Sequence, residues 1–405
     1  MRKALLPALL FISILAVNAN AQNFNLLKDI NTSRDANPRN YINNLYIGFT
    51  TTSFFVNTLA TPKYATLNGV TYFAADDGIH GTELWRSDKT ATGTYIVKDI
   101  TPGNASSQIQ SITAAGNKLY FVVGIIVYES DGTAEGTYAV PGISYTSDQT
   151  TCLTAVGNTL YFFTNVSRLW KTDGTLNGTS LVIDFRQVYN YARDFLGQLT
   201  DVNGTAYFTT GEDNINGPEL WKSDGTQQGT VLVKDIYPGT IGSRPCNLTV
   251  VNKKLYFSAD DGTGIHLWTS DGTEAGTHAV ANQSGAVLNQ NINSTDIDVT
   301  PFAVAQNIIY FKAGIPTKGF ELYKYNTANA SANVTLVKDI IPGAAGADPA
   351  NITAVNDAVF FSATGANGEQ QLWKTDGSGT GTILLKSVST SIANVFSDFV
   401  AADGK

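Results

Sequence analysis

The sequence predicts an all-β, turn-dense protein assembled from about seven copies of one four-stranded antiparallel unit. Three observations carry that prediction. One phrase keeps returning: ELWRSDKTATGTYIVKDITPG from Glu83, RLWKTDGTLNGTSLVID from Arg168, ELWKSDGTQQGTVLVKDIYPG from Glu219, HLWTSDGTEAGTHAV from His266 and QLWKTDGSGTGTILLK from Gln371, with looser copies from Val127 and Glu321. An aromatic pair stands upstream of each copy, as Tyr72-Phe73, Tyr120-Phe121, Tyr161-Phe162, Tyr207-Phe208, Tyr256-Phe257, Tyr310-Phe311 and Phe360-Phe361. The composition agrees: only 15% of residues are charged, while 37 glycines, 18 tyrosines and 20 phenylalanines suit short strands and tight turns better than helices.

Residues 1–21 read as a secretory signal peptide. Arg2 and Lys3 form a positive start, Ala4 to Val17 an apolar core, and Ala19-Asn20-Ala21 a small-x-small cleavage site before Gln22. No later apolar stretch reaches the roughly 18 to 20 residues that span a bilayer, so no transmembrane segment is expected after cleavage. The expected location is secreted or cell-surface. Residues 22–63 form an Asn/Thr-rich entry segment in which Asn25 to Ile30 matches one leading fourth strand.

The fourth repeat shows how each unit is built. Gln198 to Val202 alternates, and Asn203-Gly204 turns the chain into Thr205 to Phe208; an Asn-Gly pair between such runs is a strong hairpin signal. A loop, GEDNINGP, leads to a third strand, Glu219 to Ser223. The Asp224-Gly225-Thr226 corner then opens a fourth, Thr230 to Ile236, which Pro238-Gly239 ends. Four short strands recurring roughly every 40 to 55 residues are the signature of a β-propeller blade. Residues 64–396 are therefore expected to form a seven-repeat propeller. Residues 397–405 match the start of a further repeat, so the ring is seven-bladed, or eight-bladed if the chain is a fragment.

The repeated phrase, with its upstream YFAADDGIHGTELW and downstream VKDIxPG, resembles the ELWxxDGT repeat family of secreted bacterial proteins. The resemblance covers the chain from about residue 64. It implies an exported repeat protein and brings no catalytic residues with it. The second repeat lacks Glu-Leu-Trp and the sixth lacks Asp-Gly-Thr. The Asp-Gly-Thr corner is also similar to the Asp-box hairpin of sialidase-type propellers, where it is a fold device.

The repeated residues are assigned to the scaffold. Trp85, Trp170, Trp221, Trp268 and Trp373 are all the tryptophans of the chain and occupy one motif position; they are expected to pack between blades, with an outward sugar-stacking platform as the alternative. Asp88, Asp131, Asp173, Asp224, Asp271 and Asp376 are expected to accept backbone N–H bonds at the corner. Glu83, Glu219 and Glu321 recur blade by blade, which suits a structural role better than a catalytic one, since a catalytic acid is needed once. Asp76-Asp77 and Asp260-Asp261, each on a glycine turn, could hold Ca²⁺ with help from carbonyls, and an ordinary polar hairpin is the other reading. No other cofactor is expected. Cys152 and Cys246 fall about two blades apart, too far to bond.

Net charge is −8 with no basic run, which argues against nucleic acid as a partner. In a four-stranded meander the first and third turns emerge on one face, and the second turn and the crossover on the other. The first face is uniform from copy to copy and the second varies, so Tyr189, Tyr191, Asp213, Asn291 and Asn293 mark the expected ligand-binding face. The expected function is a non-enzymatic adhesion, matrix or carbohydrate/protein-binding module for an extracellular glycan or protein. Two alternatives stand beside it. One is a propeller-type glycoside hydrolase or lyase using Asp213, Asp296 or Asp298 with Arg186 or Arg193; the other is a structural spacer in a larger surface protein.

Overall fold

A computed structural model describes residues 64–145, 150–164, 167–189, 197–210, 216–280, 285–288, 302–329 and 332–388. The described residues form seven four-stranded antiparallel sheets, the blades of a β-propeller-type chain. Blade 1 is β1–β4 (Tyr64–Leu67, Val70–Asp76, Thr82–Ser87, Tyr95–Lys98), and blade 2 is β5–β8 (Ile109–Ala115, Lys118–Val123, Ile126–Ser130, Tyr138–Ala139). Blade 3 is β9–β12 (Thr150–Val156, Thr159–Thr164, Arg168–Thr172, Ser180–Asp184), followed by a short helix α1 (Phe185–Tyr189). Blade 4 is β13–β16 (Gly197–Val202, Thr205–Thr209, Leu220–Ser223, Val231–Lys234), and blade 5 is β17–β20 (Cys246–Val251, Lys254–Asp260, Ile265–Ser270, His278–Ala279). Blade 6 is β21–β24 (Ala303–Ala305, Ile308–Ile315, Gly319–Asn326, Thr335–Lys338), and blade 7 is β25–β28 (Ala350–Val355, Ala358–Thr364, Gln370–Thr375, Ile383–Val388).

The chain divides into two compact units, one holding blades 1 and 2 and the other blades 3 to 7. Within the first unit β1 lies beside β5. Within the second, β9, β13 and β17 lie side by side, and β21 lies beside β25. First strands are therefore the inner strands and fourth strands the outer ones. Each blade runs strand to neighbouring strand in sequence order. The expected first hairpins are present: Asn203 and Gly204 sit at φ +54° and +84°, the pair of positive values a two-residue type I′ turn needs. The fourth strand of blade 4 is shorter than expected, ending at Lys234 rather than Ile236, because the chain there leaves β15 to bond with Glu219. The leading match at residues 25–30 and the trailing one at residues 397–405 lie outside the described residues.

Bulges at two recurring positions shape the packing. The first strand is bulged in blades 2, 3, 4, 5 and 7, with Ser111, Cys152, Gln198, Asn247 and Asn351 in the left-handed region. The fourth strand is bulged opposite the tryptophan position in blades 1, 3, 4, 6 and 7: in blade 4 Leu220 pairs with Lys234 and Trp221 with Leu232, so Val233 is the extra residue. That extra residue turns into the core of the next blade. Val233 packs with Leu255, Phe257 and Trp268, Val182 with Phe208 and Trp221, and Val337 with Phe361 and Trp373. All five tryptophans are buried, and Trp221, Trp268 and Trp373 pack against the preceding blade, each worth about 3 to 5 kcal/mol against truncation to alanine.

The second-strand tyrosine closes the same seam from the other end. A Cβ added at the corner glycine of a blade would overlap the hydroxyl of the preceding blade's tyrosine: Tyr72 at Gly132, Tyr161 at Gly225, Tyr207 at Gly272 and Tyr310 at Gly377. Blade 6 has no such corner, and there Tyr256 meets the Tyr325 ring, with centroids 6.0 Å apart. Gly225→Ala therefore creates an overlap and places alanine at φ +88°, for an expected loss of about 2 to 4 kcal/mol. Adding Tyr161→Phe removes the nearest overlapping atom, so chemical denaturation of both single variants and the double variant should show part of the loss recovered. Strict additivity would contradict the seam.

Candidate functional site

The most repeated polar groups satisfy one another. In blade 4 the Thr226 amide and hydroxyl both donate to Asp224 Oδ1, at 2.8 and 2.7 Å. The Gly229 amide donates to the Thr226 hydroxyl, and the Thr230 hydroxyl donates to the Thr226 carbonyl. Ser223 and Thr230 share a buried hydroxyl–hydroxyl bond of 2.7 Å. Asp88, Asp131 and Asp271 make the same pair of bonds from Thr90, Thr133 and Thr273, Asp173 makes it from Thr175, and Asp376 from Ser378. The second glycine of the phrase is equally constrained, because a Cβ at Gly229 would overlap the Asp224 carboxylate. The threonine hydroxyl and amide hold Asp224 below the usual carboxylate range. These aspartates form six separate turn clasps.

The lysines of the phrase act across blades, which the sequence did not announce. Lys234 Nζ donates to the Thr277 carbonyl at 3.0 Å, Lys338 to that of Thr382 at 2.9 Å, and Lys98 to that of Thr137 at 2.6 Å. Lys222 and Lys324 donate to the carbonyls of Gly272 and Gly377, both at 2.8 Å. Each reaches the Asp-Gly-Thr corner of the next blade.

The three repeated glutamates are buried and tie the crossover to the third strand. Glu219 accepts from the Tyr237 amide at 3.0 Å and from the amide and hydroxyl of Ser243. Glu83 accepts from the Ile100 amide and the Ser107 hydroxyl, and Glu321 from the amides of Ile340 and Ile341. Where the position holds arginine, in blade 3, Arg168 Nε donates to Asp184 at 2.8 Å, and the crossover is α1 instead of a Pro-Gly turn. Burial pushes the carboxyls of Glu219 and Glu321 up to about 7, against the lowering pull of their donors.

The paired aspartates are local turns. Asp76 accepts from the Gly78 amide; Asp77 accepts from the amides of Ile79 and His80 and pairs with His80 Nδ1 at 2.7 Å. Asp260 accepts from the Gly262 amide, and Asp261 from the amide and hydroxyl of Thr263. Among the described residues no three His, Cys, Asp or Glu side chains gather in a way that could hold a metal ion. Cys152 and Cys246 are free, and burial raises both thiols, Cys246 to about 11.

The two faces follow from bonds between turns. Asn203 Nδ2 donates to the Lys253 carbonyl, joining the first turns of blades 4 and 5. Asn252 Nδ2 reaches both Asn307 and Thr327, the first and third turns of blade 6. On the other side, second loops bond to crossovers: the Arg244 amide donates to the Pro218 carbonyl, Asp348 to Phe320, Leu288 to Ile265, and Ser107 to Thr82. Loops that differ between blades thus share one face with the crossovers. Of the residues expected to mark it, Tyr189 is the last residue of α1. Tyr191, Asp213, Asn291 and Asn293 lie outside the described residues, as do Asp296, Asp298 and Arg193, and Arg186 is exposed on α1.

No protein-family model and no curated protein sequence matches the chain. Among solved structures it is similar to the computationally designed Ika8 protein, with 12% identity and a TM-score of 0.44 over 80% of this chain and 85% of that one. It is also similar to puromycin hydrolase, with 12% identity and a TM-score of 0.44 over 82% and 54%. A puromycin-hydrolysing peptidase of Mycobacterium tuberculosis gives 10% identity and a TM-score of 0.45 over 82% and 53%. The chain spans about half the length of these two hydrolases, and at such identity nothing of their chemistry transfers to it. Among the described residues no helix is long and apolar enough to cross a membrane.

The glutamates make stability depend on pH. A carboxyl that rises from its ordinary 4.5 to about 7 on folding contributes stability that is complete below the lower value and is lost as pH climbs through the higher one. The melting temperature should therefore fall between about pH 5 and pH 8. Glu219→Gln, which cannot ionise, should flatten that slope in a pH series of thermal melts; an unchanged slope would remove Glu219 as its source.

Proposed function

We propose that this chain is a secreted repeat protein of the ELWxxDGT kind. In this reading its blades form a non-catalytic scaffold that presents variable loops to an extracellular glycan or protein at the cell surface. One observation carries the reading. The side chains that recur from blade to blade spend their polar groups on one another, as Asp224 with Thr226, Lys234 with Thr277 and Glu219 with Ser243 show. A recognition surface must then be sought where the copies differ, on the face where second loops and crossovers meet. A rigid scaffold with differing loops is a common arrangement for binding. The signal sequence at residues 1–21 supports export.

The test is a glycan and matrix-protein array probed with the mature chain, with and without EDTA. Charged substitutions on the variable face (Tyr189→Glu with Tyr191→Glu, or Asn291→Lys with Asn293→Lys) should abolish capture and leave the melting temperature in place. Substitutions at exposed corner positions of the uniform face, Gln227→Lys and Glu274→Lys, should preserve capture, and EDTA should change nothing. Capture that survives on the variable face, or disappears with the corner substitutions, would sink the assignment.

A further inference from the structure

Between blades 4 and 5 the crossover makes a small loop whose two ends meet at one oxygen. The amides of Tyr237 and Ser243 both donate to Glu219 Oε1, at 3.0 and 2.9 Å, so the exposed residues Pro238 to Ile241 stand on a closed base. Gly242 is pressed onto the second loop of blade 4, so near Gly217 and Pro218 that neither glycine has room for a Cβ. From there the chain bonds onward to blade 5, the Ser243 carbonyl accepting from the Asp260 amide at 2.8 Å. That bond sets the turn Asp260-Asp261-Gly262-Thr263 beside the loop. The Tyr237 ring completes the contact: a Cβ added at Gly262, where φ is +89°, would stand 3.3 Å from two of its carbon atoms.

This places an aromatic ring against a polar turn on the variable face. Three crossovers read VKDIxPG, and their variable residue is Thr101, Tyr237 and Ile341, so an aromatic stands there once. Tyr237 is only half-buried, and Ile241 on the same loop is 53% exposed. Across the contact, Asp261 Oδ1 takes the amide and the hydroxyl of Thr263, at 2.9 and 2.6 Å, while the side chain stays 26% exposed. The one hydroxyl proton of Thr263 is thereby committed to Asp261. His266 Nε2, 3.2 Å from the same hydroxyl, is therefore the donor of that pair.

We propose that Tyr237 and Asp261 form a subsite for one pyranose ring of a neutral glycan, with Ile241 extending its apolar side. The proposal rests on the reading of the variable face as a recognition surface and names the ligand of one part of it. A pyranose presents a face of C–H groups and a rim of hydroxyls. Its C–H face lies on the Tyr237 ring, whose apolar body and polar tip suit a half-wet site. Rim hydroxyls donate to Asp261, and a charged acceptor holds them more strongly than a neutral one. The loop is tied at both ends by Glu219 and the turn by its own bonds, so little freedom is lost on binding. An anionic sugar would meet the like charges of Asp260 and Asp261. An extended peptide needs open backbone groups, and here they are paired: Gly242 with Gly239, Ser243 with Asp260, and Arg244 with Pro218.

The probe is a panel of immobilised neutral oligosaccharides built from hexoses and N-acetylhexosamines, offered to the mature chain. At least one should be captured, and its saturation-transfer spectrum should place the C–H protons of one ring against protein aromatic side chains. Tyr237→Ala should weaken that binding at least about tenfold, and Tyr237→Phe, which keeps the ring, should restore it to within about threefold. Asp261→Asn should weaken it about three- to tenfold. Thr101→Ala, at the same motif position in blade 1, should leave it unchanged. Should Tyr237→Ala lower the melting temperature, the isosteric Asp261→Asn and the saturation-transfer contact still decide, and a bound sugar with no aromatic contact overturns the subsite. Binding that survives Tyr237→Ala but disappears with Tyr189→Glu and Tyr191→Glu overturns the subsite and keeps the variable face. Capture of a matrix protein with no oligosaccharide bound does the same. Capture of neither overturns the subsite and the recognition reading together.

Discussion

The structure depends on one close approach, the folding of an aspartate side chain back against a glycine five residues later. Asp224 over Gly229 is the example, and the same clasp appears in six blades. It needs a short carboxylate, a threonine or serine to supply an amide and a hydroxyl together, and a residue with no Cβ at the far end. Those requirements account for Asp, Thr and the second Gly of the repeated phrase. With the clasp closed, the corner carbonyls of Gly272 and Thr277 are exposed to the preceding blade, and Lys222 and Lys234 take them. One local turn therefore prepares a long-range joint.

The rest of the phrase follows from that joint. The first corner glycine leaves room for the preceding tyrosine hydroxyl, and the bulged valine fills the space beside the tryptophan. The buried glutamate gathers the amides of the crossover that would otherwise be unpaired. Seen this way, the phrase is two half-seams written in one line. Its tryptophan and corner receive the blade before, and its Trp-Lys and Val-Lys lysines grip the blade after. Repetition is then a mechanical necessity, because a blade that lies between two others meets neighbours of the same kind on both sides. It also explains why departures come in matched sets. Blade 3 exchanges glutamate for Arg168 and gains Asp184 and α1, and blade 5 lends Tyr256 to Tyr325 where the corner is missing.

Much of this was legible in the sequence, and the division is physical. The blades and hairpins were, because Asn203-Gly204 and the Asp224 corner are local and their turn chemistry is set by a few adjacent residues. The burial of the tryptophans was too, since a single position collects all five. The lysine joints were not: Lys234 and Thr277 stand a full repeat apart, and nothing in either residue names the other. Glu219 gave a half-signal, read as structural from its recurrence, but its partner Tyr237 stands at the one variable position of VKDIxPG, and Ser243 lies past the Pro-Gly turn, where the copies differ. The bulge at Val233 was invisible because alternation continues through it. The expected binding positions, Tyr191, Asp213, Asn291 and Asn293, fall in segments without a repeated neighbour to align against, for the same reason that makes them candidates: each copy differs there.

The central claim is that the repeated phrase is spent on holding neighbouring blades together. A double-mutant cycle across the boundary of blades 4 and 5 tests it most directly, with Val233→Ala and Trp268→Ala measured singly and together by equilibrium unfolding. The account predicts a coupling of at least about 1 kcal/mol between two residues in different blades. Losses that add to within about 0.3 to 0.5 kcal/mol would contradict it and return the phrase to the list of candidate binding motifs.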